Sequence, residues 1–177
     1  MADPSDLPCI AGILADAAAW LNDRGVRQWP EYGFPEGETL GRLRRGETYL
    51  ALLGDVSVGT ISLDTSGEPF WSPQEAQSSL FIHRLAVTRA HAGRGLGKAL
   101  LDFARSEALR RGYMWLRLDC VGDNEGLQTY YKHEGFTLVK IVPLPHDDSE
   151  ALFAQRVAHS SGPRSDLESS LDSGTNS

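Results

Sequence analysis

The sequence predicts an α/β fold, a sheet of mixed direction with helices on both faces, and three observations predict it. Helical and strand periods alternate through the middle of the chain, hairpin signals occupy its flanks, and a glycine-rich turn joins a strand to the main amphipathic helix. At 177 residues with 41% hydrophobic content, the chain is long enough for one buried core and short for two.

The elements follow in order. Ser5 or Asp6 caps a first helix in which Ile10, Ile13, Leu14, Ala17, Ala18 and Leu21 recur with a 3.6-residue period, and Gly25 ends it. Val26 to Gly37 mixes Trp29, Pro30, Tyr32, Phe34 and Pro35, too interrupted for regular structure but rich in apolar surface, and is expected to line a pocket. A short helix is predicted from Glu38 to Arg45, then a hairpin of Tyr49 to Leu53 and Val56 to Leu63 across Gly54-Asp55. Asp64 to Ser79, with its Pro, Ser and Gln residues, reads as an exposed connection. Leu80 to Val87 is a strand, and Leu96, Ala99, Leu100, Phe103, Ala104 and Ala108 mark the main helix, closed by Arg110, Arg111 and Gly112. Trp115 to Val121 is a strand, Asn124 to His133 a short helix and Phe136 to Val142 another strand, with Leu152 to Val157 as its hairpin partner. Residues 1–158 are read as one domain, and 159–177, mainly Ser, Gly and Asp, as a disordered tail with almost nothing to bury.

Seventeen basic against 24 acidic residues leave a formal charge of −7, which argues against a broad electrostatic grip on nucleic acid or on an anionic membrane. The two cysteines, Cys9 and Cys120, are far apart and without metal-ligand spacing, so neither a disulfide framework nor a metal site is expected. The start MADPSDLPCI lacks the basic and apolar segments of a secretory signal. No apolar run reaches the ~20 residues of a spanning helix, so the expected setting is cytoplasmic.

In LAVTRAHAGRGLGKALL a strand ends, a turn carries Gly93, Gly95 and Gly97, and a helix begins. Glycine lets the backbone approach a ligand, and the first helical N–H groups have no partner inside the helix, so such a turn can hold phosphate oxygens, with Arg94 and Lys98 adding charge. Taken alone, the same glycines also suit a plain strand-to-helix connection. A Walker loop is excluded because Ala99 follows Lys98, and the glycine spacing is not that of a dinucleotide fingerprint.

This block, together with LDCVGDNEGLQTYYKHEGF, resembles the two signatures of the GNAT superfamily of N-acetyltransferases, over roughly Leu80 to Val142. The resemblance implies a mostly antiparallel, twisted sheet with splayed central strands, and acetyl-CoA as acyl donor. It places Ala92, Gly93, Arg94, Gly95, Leu96, Gly97 and Lys98 on the pyrophosphate, with Ala92 standing where the family carries Arg or Gln. Leu85, Ala86 and Val87 would pair through their main chain with the pantetheine arm, Asn124 would contact that arm, and Tyr131 would be the general acid for the departing thiolate. Tyr131 rather than Tyr130 takes the motif position because it lies four residues before Gly135. Outside the resemblance, Asn124 reads as a helix cap and Tyr131 as a packed aromatic. Family members usually begin with a strand before the first helix, so that strand is expected here to be short or missing.

An attacking amine must lose a proton, and His83 is the candidate base, read by alternation as sharing a side with Phe81 and Leu85 and opposing Arg84. A strand histidine beside the core is the plainer reading. His133 and His91 are weaker candidates, and Cys120 at the end of an apolar strand reads as a packed thiol rather than a covalent nucleophile. Trp20, Trp29, Tyr32, Phe34 and the connection from Asp64 to Ser79 are expected to build the acceptor pocket. The acceptor is read as an amine-bearing small molecule or peptide. A longer acyl-CoA or aminoacyl-tRNA donor, with Arg42, Arg44 and Arg45 as a local basic patch, and a silent acyl-CoA sensor stay as alternatives. A homodimer is permitted.

Overall fold

The computed structural model describes residues 1–157 apart from Tyr32 and Glu68, so the expected tail lies outside the described residues. Helix α1 spans Leu7–Asn22 and buries Ile10, Ile13, Leu14 and Ala18. Asp6, one of the two expected caps, stands at the N-cap of the helix but makes no side-chain cap bond to it, and the side-chain capping lies one turn earlier. Asp3 opens a short 3-10 turn by accepting the Ser5 N–H at 2.7 Å, while Asp6 accepts the Asp3 N–H at 2.9 Å, a reciprocal capping box that feeds into Pro8 of the helix. No strand precedes α1 among the described residues; the Ala2 N–H donates one hydrogen bond to the Thr48 carbonyl at 3.0 Å.

Helix α2 (Glu36–Arg44) starts two residues before its expected position, because Pro35 has the extended backbone that suits the residue before a first turn. Strands β1 (Thr48–Leu53) and β2 (Val56–Asp64) form the expected hairpin, with Gly54 in the left-handed region at φ 61°. The connection that follows departs from expectation. Ser72 and Glu75 cap one another across the single turn of α3 (Pro73–Ala76), and Trp71 is only 6% exposed, with its ring 6.1 Å from that of Phe81 and the Arg117 guanidinium 4.5 Å above it. An indole over a core ring outweighs the turn residues around it.

Strand β3 (Ser79–Val87) leads through helix α4 (Leu96–Arg110) to β4 (Trp115–Val121), a crossover that makes these two strands parallel. Helix α5 (Glu125–His133), β5 (Thr137–Pro143) and β6 (Ser149–Arg156) complete the sheet, whose order is β1-β2-β3-β4-β6-β5. The last strand is longer than predicted and lies between β4 and β5, antiparallel to both. Helices α4 and α5 cover one face, where Leu100, Leu101, Ala104, Tyr131 and Phe136 pack on Leu116, Leu118 and Phe153. On the other face α1 and α2 pack over β3 through Ile10, Ile13, Leu43 and Ala86. Emptying the fully buried Phe153 site by substitution with alanine costs ~3–5 kcal/mol.

Two irregularities position the site. Strands β3 and β4 pair only between Ser79–Phe81 and Trp115–Arg117; beyond Phe81 the two diverge, β3 staying with β2 and β4 with β6. The second is a bulge. Ser62 opposes His83 and Thr60 opposes Ala86, so Ile61 faces two residues, Arg84 and Leu85, and Arg84 takes φ 51°. Alternation therefore breaks at Arg84. Leu80, Ile82, Leu85 and Val87 pack toward α4, whereas Ala86 packs toward α1 and α2, the side on which Arg84 meets α2 and His83 meets Asp64. The expected grouping of His83 with Leu85, opposite Arg84, is corrected: His83 and Arg84 share a side and Leu85 points away.

Candidate active site

The divergence of β3 from β4 opens a cleft of about 820 Å³, lined from the glycine turn at one end to α1, α2 and the mouth of α5 at the other. The glycine end is built from main chain. Gly93 and Gly95 have φ 75° and 76°, conformations that disfavour any side chain, and Gly95 is the N-cap of α4 with no side-chain cap of its own. The N–H groups of Leu96, Gly97 and Lys98 are thus the unpaired first amides of a 15-residue helix, at the positive end of its dipole. Ala92, Gly93, Gly95, Leu96, Gly97 and Lys98 line the cleft. Arg94 is exposed and outside the lining, and the Lys98 ammonium is bound to Asp102 at 2.9 Å. The turn's capacity for phosphate therefore rests on amides more than on basic side chains.

Tyr130 closes this end. Its hydroxyl is buried without a hydrogen-bond partner among the described residues, and a Cβ added at Gly97 would lie 2.7 Å from it. Burial, with Glu134 nearby, pushes this phenol up to about 12. Tyr131 occupies the middle of the cleft wall, 6% exposed, edge-on to Phe136 and tilted against Phe153, both at 5.9 Å. Its burial, reinforced by Cys120, Tyr130 and Asp119, drives the phenol's pKa upward, so it stays protonated across neutral pH, as a proton donor must. Burial pushes the Cys120 thiol up to about 12, which keeps it from serving as a thiolate nucleophile.

Asn124 caps α5, its plainer reading, and also lines the cleft. Its Oδ1 accepts the Leu127 N–H at 3.1 Å and so caps α5, while its Nδ2 donates to Gln28 Oε1 at 3.2 Å across the cleft. Gln28 also accepts the Val121 N–H at 3.2 Å, tying the loop after α1 to the end of β4. Leu85, Ala86 and Val87 line the cleft, and with β4 turned away their edge has no strand partner on that side.

The far end is built from side chains. His83 Nε2 lies 3.2 Å from Asp64 Oδ1, and the other oxygen of Asp64 is ion-paired with Arg42, which also approaches Glu47 at 3.8 Å. Burial raises the Asp64 carboxyl, but the hydrogen bonds and charges of His83 and Arg42 outweigh it and hold the group below the usual carboxylate range. Arg84 donates from Nη1 to Thr39 Oγ1 at 3.1 Å, is ion-paired with Glu38, and its guanidinium lies 4.0 Å over the Phe34 ring. Trp29 meets Phe34 edge to face at 5.5 Å. Asp119 and Glu150 line the cleft from the β4–β6 wall.

Of the sequence-predicted residues, His83, Leu85, Ala86, Val87, Asn124, Tyr131, Trp29 and Phe34 are brought to one cleft, as are Trp20 and His91. Tyr32 lies outside the described residues. No described residue of the connection between Asp64 and Ser79 lines the cleft, because Trp71 anchors it on Phe81 and Leu152 instead. Glu38, Asp119 and Glu150 were not foreseen, and Arg42, Arg84 and Tyr130 were considered without a place in the cleft. Only Glu38 and Arg42 carried a usable signal, as polar residues four apart on one face of a predicted helix.

A family model described as the acetyltransferase (GNAT) family matches residues 14–136. The chain is 30% identical over 139 residues to the uncharacterized N-acetyltransferase YesJ of Bacillus subtilis (strain 168), covering 74% of this chain and 76% of that one. It is 33% identical over 144 residues to the mycothiol acetyltransferase of Beutenbergia cavernae, covering 76% of this chain but 46% of that longer protein. Among solved structures, a GNAT family acetyltransferase from Listeria monocytogenes superposes with a TM-score of 0.73 at 25% identity, covering 88% of this chain and 91% of its own. The fold is also that of yncA from Salmonella typhimurium, solved with its cofactor acetyl-CoA, at a TM-score of 0.69 and 18% identity, over 93% and 95% of the two chains.

Proposed function

The chain belongs to the acetyltransferase (GNAT) family, whose donor is acetyl-CoA, and from that premise we propose that it acetylates a primary amine of a small molecule or peptide by direct attack. The observation that carries this reading is the parting of β3 from β4 at the point where the left-handed glycine turn, the free amides of α4 and the buried phenol of Tyr131 meet. These parts fit the donor. The unpaired edge of Leu85, Ala86 and Val87 would hold the amides of its pantetheine arm, and the α4 amides and the Tyr130 hydroxyl would hold its phosphates. Bound there, acetyl-CoA supplies an activated thioester.

The residues of the chain do the rest. His83, whose Nε2–H donates to the Asp64 carboxylate, accepts the proton of the amine at Nδ1, and the Tyr131 hydroxyl supplies a proton to the departing thiolate. Gln28, Asn124, Trp29 and Phe34 close the cleft against water and hold the acceptor in line, so orientation supplies much of the acceleration. Residues 1–158 form the acyltransferase domain in this reading.

The test is an acetyl-CoA-dependent thiol-release screen over polyamines, aminoglycosides, amino acids and peptide amino termini. Acetylation of at least one class, lost in Tyr131→Phe and His83→Asn, is the expected result. Tight acetyl-CoA binding with no thiol release for any amine would instead mean a sensor, and a strong preference for a longer acyl-CoA or an aminoacyl-tRNA would replace the donor.

A further inference from the structure

We infer that the acceptor is a small amine bearing a carboxylate a few bonds from its nitrogen, and that Arg84 binds that carboxylate; this rests on the acetyl transfer proposed above. The starting point is the bulge. A non-glycine residue at φ 51° is in a disfavoured backbone conformation, and here its consequence is to turn a guanidinium out of the α4 side of the sheet and into the cleft beside His83. Without the extra residue, Arg84 would face the apolar core under α4.

The guanidinium's surroundings resemble half of a binding site. Its side chain is 5% exposed, backed by the face of Phe34 and held by Thr39, which fixes the plane of the fork. Its carboxylate partner is Glu38, whose side chain is 53% exposed. Arg42, the neighbouring cation in the cleft, is committed to Asp64 and Glu47, and Arg24 and Arg89 stack on Trp20. Arg84 is thus the cleft cation near the reacting centre whose charge is balanced from one exposed side. Burial lowers its pKa, the mark of a cation incompletely compensated by its surroundings. A ligand carboxylate taking two N–H groups of the fork would complete it.

Position sets the size of the acceptor. Arg84 follows His83 directly in β3, and the bulge puts both side chains on the same side of the sheet and in the same cleft, so the carboxylate and the reacting amine are held by neighbouring residues. That proximity suits an amino acid, whose carboxyl is a few bonds from its nitrogen, better than the distant carboxyl of a long peptide. The opposite wall has the complementary sign: Asp119 and Glu150 face the cleft and favour an ammonium over a second anionic group.

Thiol release is measured for matched triplets: an amino acid, its carboxamide and its decarboxylated amine. The wild-type chain is expected to use the free acid with a kcat/KM about 10- to 100-fold above the other two, the factor for a hydrogen bond to a charged group. In Arg84→Met the acid-to-amide ratio falls toward 1, and Arg84→Lys retains part of it. A second readout is calorimetric binding of the N-acetyl amino acid product, expected to weaken in Arg84→Met by a similar factor and to tighten in Glu38→Gln. Should Arg84→Met fail to fold, the wild-type triplets and Glu38→Gln decide. Equal use of acid and amide by the wild type, or equal loss of both in Arg84→Met, overturns the inference and leaves acetyl transfer standing. Absence of thiol release with any amine overturns both.

Discussion

The two ends of the cleft are made of different material. The end proposed for the donor is peptide backbone: left-handed glycines, the first amides of α4 and the edge of β3 that β4 leaves. The end proposed for the acceptor is side chain, with Arg42, Asp64 and His83 in one set of ion pairs and Arg84 and Glu38 in another, drawn from β2, β3 and α2. A backbone cradle recognises what every member of a family must bind, since its donors survive substitution of the residues around them. A cleft of side chains can be rewritten one residue at a time. The difference teaches where to look for a shared chemistry and where to look for an individual one.

That contrast can be broken by experiment. The largest effect is expected at the junction of the two ends: Tyr131→Phe should lower kcat/KM by about 10²–10³-fold with acetyl-CoA affinity nearly intact, and a loss under threefold in the thiol-release assay would remove Tyr131 from proton transfer. Asp64→Asn comes next. It unfastens both His83 and Arg42, and kcat should fall about tenfold while the KM for acetyl-CoA stays put; a rise in that KM would show that the ends are not separable. Gly97→Ala reverses the pattern, raising the KM for acetyl-CoA roughly fivefold because its methyl meets the Tyr130 hydroxyl, and the double variant with Tyr130→Phe should recover part of the loss. Arg94→Ala is expected to change either KM by less than about twofold, since the side chain is exposed and outside the cleft; a tenfold effect would mean the cradle depends on side chains after all.

The smallest effect is on stability against pH. Asp64 titrates below its ordinary 3.8 in the folded chain, so its contribution is present above that value and is lost as pH falls through the lower folded value. The thermal midpoint of the wild type should therefore decline more steeply below about pH 4 than that of Asp64→Asn, and parallel declines would remove the His83–Asp64–Arg42 chain as a source of stability.

Legibility in the sequence divides along the same line. The glycine turn, Asn124 and Tyr131 are short, local patterns whose spacing is itself the structure, and the hairpin at Gly54 and the amphipathic α4 are of the same kind. The bulge has no such mark, because Arg84 stands where a regular strand would place any residue and nothing beside it is a glycine. Its partners Glu38 and Thr39 are more than forty residues away, joined only by the packing of α2 on β3. The connection from Asp64 to Ser79, expected to be exposed, buries Trp71 for a related reason. The indole's neighbours Gly67, Pro69 and Pro73 describe a turn correctly, but which ring it covers depends on β3 and β6 arriving beneath it. The polar start of β6, Ser149 and Glu150, hid the first three residues of the strand, Ala151 with them, while its apolar stretch from Leu152 was evident.

The place of β6 in the sheet also dictates an order of events during synthesis. Strand β5 leaves the ribosome first but lies at the outer edge, and its sole neighbour in the sheet is β6, which follows it. Beneath β5, β4 is joined to β3 by a short register alone, so the half of the sheet that carries α5 has little to close on until residues 149–156 thread between the two waiting strands. Phe153, against which the Tyr131 ring leans, arrives with that last segment. A nascent chain halted before Ser149 would hold the glycine turn and the tyrosine yet lack the wall that sets the tyrosine in place, so the cleft is complete only once β6 has joined the sheet.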